Sequence, residues 1–204
     1  MIEPLVQLRS RAVALLEPNI DTDVIFPARH LLKIDREGLA QCAFEDRRWR
    51  SDGSVIPGFA LNEPGFEDAK ILITGPGFGC GSSREQAVWA LVDYGIRVII
   101  GTDFGDIFAG NAPQNGMLLI KTDPQLVAVL AAHAKRGRLF DVNLLKRSVC
   151  VSGKALLHFD LSDQALQAFE HGWEELDIIL QTEIEHVTAF EATHALRQPW
   201  LFRS

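Results

Sequence analysis

The stretch that most constrains the fold is residues 70–101, where two continuous β-branched runs, "KILITG" and "IRVIIG", flank a glycine-rich turn and a helical segment. Apolar runs without polar alternation belong to strands buried on both faces, and such strands are parallel ones covered by helices. Between them, Ala87 with Leu91 and Val88 with Val92 fall at helical spacing. A strand–loop–helix–strand crossover follows, and with it an α/β class. "GMLLIK" at 116–121 supplies a third strand after a short helix near 104–110. "DPQLVAVLAAHAKRG" at 123–137 runs as a helix from an Asp cap to a basic last turn and a terminal Gly.

The remaining pattern suits one domain over residues 1–204, a length that supports a real core. "AVALLEPNIDTDVIFPARHLL" predicts a short strand at 12–16, a polar turn and a second apolar run closed by Pro27. A short helix is expected over 36–45, a long surface loop over 46–69, a hairpin turning at Ser152-Gly153 and a mostly helical tail from 162. No apolar stretch approaches the ~20 residues of a membrane span. The first residues lack the order of a signal peptide, so a cytoplasmic protein is expected. A formal charge of -7 argues against a phosphate backbone as partner. The basic clusters "DRRWR" and "KRGR" read as solvated surface or helix-end charge.

The turn itself reads "GPGFGCGSSRE", with Gly75, Gly77, Gly79 and Gly81 at every second position. Such density implies tight curvature or a ligand pressed against the main chain. A glycine-rich loop that opens a helix also offers N–H groups and a positive helix end to an anion. Nucleotide-binding versions fail on spacing: Ser82 follows Gly81 where a Walker A loop needs Lys, and no register completes G-x-G-x-x-G. Ser82-x-x-Glu85 and Ser83-x-x-Gln86 both match a capping box, which would make one serine structural. Arg84 in the first turn runs against the helix dipole and makes better sense as a planar clamp for a carboxylate. One serine is then free for chemistry, its alkoxide stabilised by adjacent N–H groups and the guanidinium.

Cys42, Cys80 and Cys150 are far apart, with no C-x-x-C pair for zinc or an iron–sulfur cluster, so no cofactor or metal is expected on this chain. Cys80 lies where a helix N-terminus can activate a thiol, but a small side chain packed in the turn is the simpler role. Glu183-x-x-His186 and Glu191-x-x-His194 copy the ligand pairs of di-iron bundles. On one helix they stand ~12 Å apart at ~1.5 Å per residue and cannot converge on one metal pair. Both read as surface.

"GFGCGSSREQAVWALVDYGIRVII" resembles the signature of the small subunit of 3-isopropylmalate dehydratase, a family related to the C-terminal swivelling domain of aconitase. Further likeness runs in order along nearly the whole chain, through "NIDTDVIFPARHLLKIDREGLAQCAFEDRRW", "FGDIFAGNAPQNGMLLI", "LDIIL" and "AFEATHALRQPWL". The resemblance implies a single α/β swivel domain, a β/β/α sandwich. It implies a hydro-lyase subunit that interconverts 2-isopropylmalate and 3-isopropylmalate by dehydration and rehydration in leucine biosynthesis. It also implies a partner, a large subunit that holds a [4Fe-4S] cluster and over which this domain closes on a small diacid.

Carried onto this sequence, the resemblance implies that Ser82 is the general base that takes a proton from the carbon beside a carboxylate. It implies that Ser83 and Arg84 hold a substrate carboxylate and that Asp23 supports the site. In "ARHLLK" it implies that Leu31 or Leu32 faces the substrate's variable group, with Lys33 beside them. Three stretches depart from the family pattern: Gln86 stands for the usual His, "AGNAPQNG" for N-N-C-x-x-N-G, and "EHGWEELD" for L-L-N-G-L-D. Together with Lys33 they leave open another substituted malate or homoaconitate-like diacid as substrate, and a diacid-binding module without catalysis.

Overall fold

The computed structural model describes residues 2–32, 35–82 and 84–202. In chain order, β1 (Gln7–Leu15) is followed by α1 (Thr22–Ile25), α2 (Glu45–Arg48), β2 (Ile71–Thr74) and α3 (Glu85–Asp93). Next come β3 (Val98–Gly101), α4 (Asp106–Gln114), β4 (Leu118–Lys121) and α5 (Pro124–Lys135). Strands β5 (Leu139–Asn143), β6 (Ser148–Val151) and β7 (Lys154–His158) precede α6 (Asp163–His171), α7 (Glu175–Thr182) and α8 (Ile184–Arg197). The strands form one mixed sheet in the order β4-β3-β2-β1-β5-β6-β7. Pairing is parallel from β4 to β1 and antiparallel from β1 to β7.

The three apolar runs are the parallel strands, and each divides its side chains between two cores because successive residues face opposite ways. Leu72 and Ile99 meet Ile25 of α1, Leu91 of α3 and Phe108 of α4 on one face. Ile71, Ile73, Val98 and Ile100 meet Leu130 of α5 and Phe169 of α6 on the other. Helix α5 starts where Asp123 accepts the Leu126 amide at 2.8 Å. Ser152 and Gly153, both with positive φ, make the turn between β6 and β7, a geometry that matches strand twist.

Three local expectations need correction. Strand β1 begins at Gln7 rather than near 12, because Gln7 to Arg11 pair with β5 across more than a hundred residues. Over 36–45 there is no continuous helix but a 3-10 turn at Ala40–Cys42, separated from α2 by Phe44 in the left-handed region. The segment 46–69 is a long, mostly exposed loop after α2, as expected, and it is tied down: the Asn62 side-chain amide donates to the carbonyls of Arg48 at 2.9 Å and Ile56 at 3.0 Å while Leu61 is buried. Within "DRRWR", Arg48 is buried: its guanidinium donates to the Ala40 and Ala43 carbonyls and lies 4.5 Å over the Tyr94 ring. Burial pushes its pKa down, with Tyr94 opposing that shift. Among the described residues no helix is long and apolar enough to cross a membrane.

Candidate functional site

The glycine-rich loop after β2 is held on both sides by main chain. Toward β1, Asn19 N donates to Pro76 O at 2.7 Å, Gly79 N to Ile20 O at 2.8 Å and Thr22 N to Cys80 O at 2.9 Å. Toward the β3–α4 connection, Gly105 N donates to Phe78 O at 3.0 Å, and Asp103 accepts the Gly77 amide at 2.6 Å. A Cβ on Gly75 would overlap the Leu16 carbonyl, and one on Gly79, whose φ is +73°, would overlap the Phe108 side chain. At these two positions the close approach that glycine permits is to neighbouring chain. The loop thereby presents Gly81 and Ser82 outward, both exposed.

The "DTD" triplet divides its labour. Asp21 caps α1 by accepting the Val24 amide at 2.8 Å, the turn-forming role its sequence context suggested. Thr22 is buried and donates its hydroxyl to the Ser82 carbonyl at 3.0 Å. Asp23, half exposed, forms an ion pair with the Arg84 guanidinium. Thr22 was not singled out in the sequence, because its partner lies sixty residues away; the only local signal was a β-branched hydroxyl between two carboxylates.

Arg84 occupies the N-cap of α3 in extended backbone rather than the first helical turn. Its side chain is only 14% exposed, which places a confined guanidinium at the positive helix end. Ser82-x-x-Glu85 does not act as a capping box, since Ser82 precedes the N-cap by two residues, and the N-cap residue Arg84 makes no side-chain cap. A guanidinium has no acceptor to offer helix amides, and the Ala87 amide is met instead by the Arg84 carbonyl at 3.2 Å. Ser83, expected to hold a carboxylate, lies outside the described residues.

Behind this surface the start of α3 is latched to the end of α4. Asn115, buried, donates to Glu85 Oε1 at 2.9 Å and to the Asn111 carbonyl at 3.0 Å. Gln86 sits half-buried in the first turn of α3. On the other flank, the segment after Pro27 forms a 3-10 turn whose Arg29 donates to Glu45 and Asp46 at 2.6 Å each and whose His30 contacts Glu45. Hydrogen bonding from Arg29 lowers the Asp46 pKa. Burial works to raise Glu45, but the bonds from His30 and Arg29 outweigh it and hold its pKa low. Leu31 packs partly buried against the core, whereas Leu32 is 95% exposed; Lys33 lies outside the described residues.

The thiols do not converge: Cys42 is buried beside α2, Cys80 is half-buried in the glycine loop, and Cys150 lies on β6. Among the described residues no group of three or more His, Cys, Asp or Glu is arranged to hold a metal ion. Glu183 and His186 form an exposed i,i+3 pair on α8, a surface role.

The aconitase C-terminal domain family matches residues 2–125. The 3-isopropylmalate dehydratase small subunit of Oceanobacillus iheyensis is 38% identical over 193 residues, 95% of this chain and 100% of that protein. The small subunit of Methylorubrum populi is 40% identical over 182 residues, 88% of this chain and 90% of that protein. A crystal structure of 3-isopropylmalate dehydratase from Methanocaldococcus jannaschii superposes with a TM-score of 0.65 at 22% identity, covering 90% of this chain and 99% of the other, a likeness of fold. With sequence likeness over most of its length and the aconitase C-terminal fold around the Ser82–Arg84 loop, the chain belongs to the family of 3-isopropylmalate dehydratase small subunits.

Proposed function

We propose that the chain acts, as one swivel unit over residues 1–204, as the small subunit of a cytoplasmic hydro-lyase that interconverts 2-isopropylmalate and 3-isopropylmalate in leucine biosynthesis. Its curated relatives carry that name. The observation that carries the reading is at the mouth of α3, where exposed Ser82, its carbonyl bonded to Thr22, comes two residues before Arg84, whose confined guanidinium is paired with Asp23. The chain's own thiols are too dispersed to hold an iron–sulfur cluster, so the cluster is assigned to a large partner subunit. When bound there, it supplies a Lewis acid for the departing hydroxyl.

This chain's residues do the rest. Arg84 exchanges Asp23 for a substrate carboxylate, whose two oxygens match its planar fork. Ser82 Oγ, as the alkoxide, takes the proton from the carbon beside that carboxylate; the C–H electron pair becomes the C=C bond as the C–O bond breaks. Water then adds back with hydroxyl and hydrogen exchanged between the two carbons, so no net water is consumed. A serine hydroxyl is a weak acid, and amides at the start of α3 together with Arg84 are what stabilise its anion. Ser83 adds a second contact to the carboxylate. In this reading Leu31 or Leu32 faces the substrate's variable group, where each apolar group discriminates by about 1–3 kcal/mol.

The test is reconstitution with the large iron–sulfur subunit, assayed on 2-isopropylmalate and a panel of substituted malates. Ser82→Ala should lower kcat by about a hundred- to ten-thousand-fold while the complex still forms. Undiminished turnover in that variant would remove Ser82 from the role of base, and preference for another malate would move the substrate.

A further inference from the structure

The last helices carry a surface that the site does not use. Among the described residues, neither α7 nor α8 buries a side chain, and neither contributes to the two cores. Leu176, Ile179 and Leu180 lie at i, i+3 and i+4 on α7, and Ile184, Val187 and Phe190 follow at three-residue steps on α8. All six are exposed, Leu176 and Phe190 at 65% each. An isolated helix shorter than about 12–15 residues is marginal in water. Helix α7, with 8 residues, therefore gains little from its own propensity, and its order has to come from packing.

Charge narrows what covers these faces. Between Lys154 and Arg197 the chain holds nine Asp or Glu and not one Lys or Arg. The remainder of the chain, with 20 Lys and Arg against 18 Asp and Glu, is slightly basic, so the acidity is concentrated on this tail. Glu174, Glu175, Glu183, Glu185 and Glu191 are all exposed around the apolar positions. A second copy docked face to face would oppose two like-charged rims, and anionic lipid or a phosphate backbone would be repelled as well.

We infer that the α7–α8 faces dock an apolar groove bordered by Lys and Arg on the large subunit. This rests on the reading of the chain as one half of a dehydratase. Apolar residues at the centre set the dissociation rate; the acidic rim sets the association rate and its salt dependence.

The experiment uses the full-length chain and the purified large iron–sulfur subunit, with affinity measured by surface plasmon resonance from 50 to 500 mM NaCl. Hydrogen exchange is followed with and without the partner. Binding that weakens with salt is expected, with slowed exchange over 175–200 in the complex. Leu180→Glu with Phe190→Glu should weaken binding at least tenfold, chiefly through faster dissociation, and should leave the melting temperature of the free chain unchanged. Glu183→Gln, Glu185→Gln and Glu191→Gln together should slow association and flatten the salt dependence. If wild type and both variants bind alike, with exchange over 175–200 unaffected, this docking surface is wrong while the dehydratase reading stands. If the wild-type chain does not bind the large subunit at all, both fall. Slowed exchange over 175–200 in a self-associated free chain would assign the faces to a second copy and overturn the inference.

Discussion

Gly79 carries a constraint that Gly110 does not. Gly79 has φ of +73°, and a Cβ there would run into Phe108, whose ring packs edge-on against Phe78 at 5.5 Å. Alanine would meet both backbone strain and a rigid aromatic pair, so Gly79→Ala should cost about 2–4 kcal/mol. At about 2–4 °C per kcal/mol for a chain of this length, calorimetry should register a fall of roughly 5–15 °C. Gly110 lies inside α4 with open space where a Cβ would sit. Gly110→Ala should therefore stabilise by about 0.5–1 kcal/mol and raise the melting temperature by about 1–4 °C. If both substitutions shifted stability equally, loop packing would not be what requires the glycine at 79.

At the scale of elements, the site depends on how α3 is fixed to its neighbours. Asn115 at the end of α4 is buried and bonded to Glu85 and to the Asn111 carbonyl, so Asn115→Ala strands a half-buried carboxylate and a carbonyl of α4 together. The expected loss is about 1.5–3 kcal/mol by urea unfolding, and kcat of the assembled enzyme should fall more than KM changes because Arg84 and Ser82 ride on the start of α3. The clasp between Arg29 and α2 gives a pH signature. The pKa values of Glu45 and Asp46 are lower folded than unfolded, so their stabilisation is complete above the unfolded values near about 4 and is lost as pH falls through the folded ones. Arg29→Gln should lower the melting temperature at pH 7 by no more than about 3 °C, since the groups are largely exposed, and the difference should shrink as the pH falls below about 4. A difference that did not shrink with acidity would mean that Arg29 acts by packing alone.

For the whole molecule, what could be read from sequence followed the distance to each partner. Strands β2 and β3 and helix α3 were legible because each apolar run states its own burial on both faces and its partner lies within about thirty residues. The N-terminal half of β1 was not, since Gln7 to Arg11 pair with β5, and neither was Thr22, whose carbonyl partner is Ser82. Arg84 was legible as a misfit against the helix dipole, yet its place at the N-cap and its pairing with Asp23 required the fold to bring two distant loops together. The same contrast separates α6 from the helices after it. Leu5 N donates to Phe169 O at 2.7 Å, Gly172 packs against Ile2 in left-handed backbone, and Phe169 fills one core, so α6 belongs to the sheet. A chain ending after Trp173 should unfold cooperatively with a melting temperature within about 3 °C of the intact protein, because the removed helices bury no side chain. A chain ending after Leu161 also loses Phe169, worth about 1.5–3 kcal/mol of burial, and should melt roughly 5–10 °C lower. Equal losses from the two truncations, measured by calorimetry at one protein concentration, would place α7 and α8 among the elements that stabilise the sheet and remove the basis for treating them as a surface held in reserve for a partner.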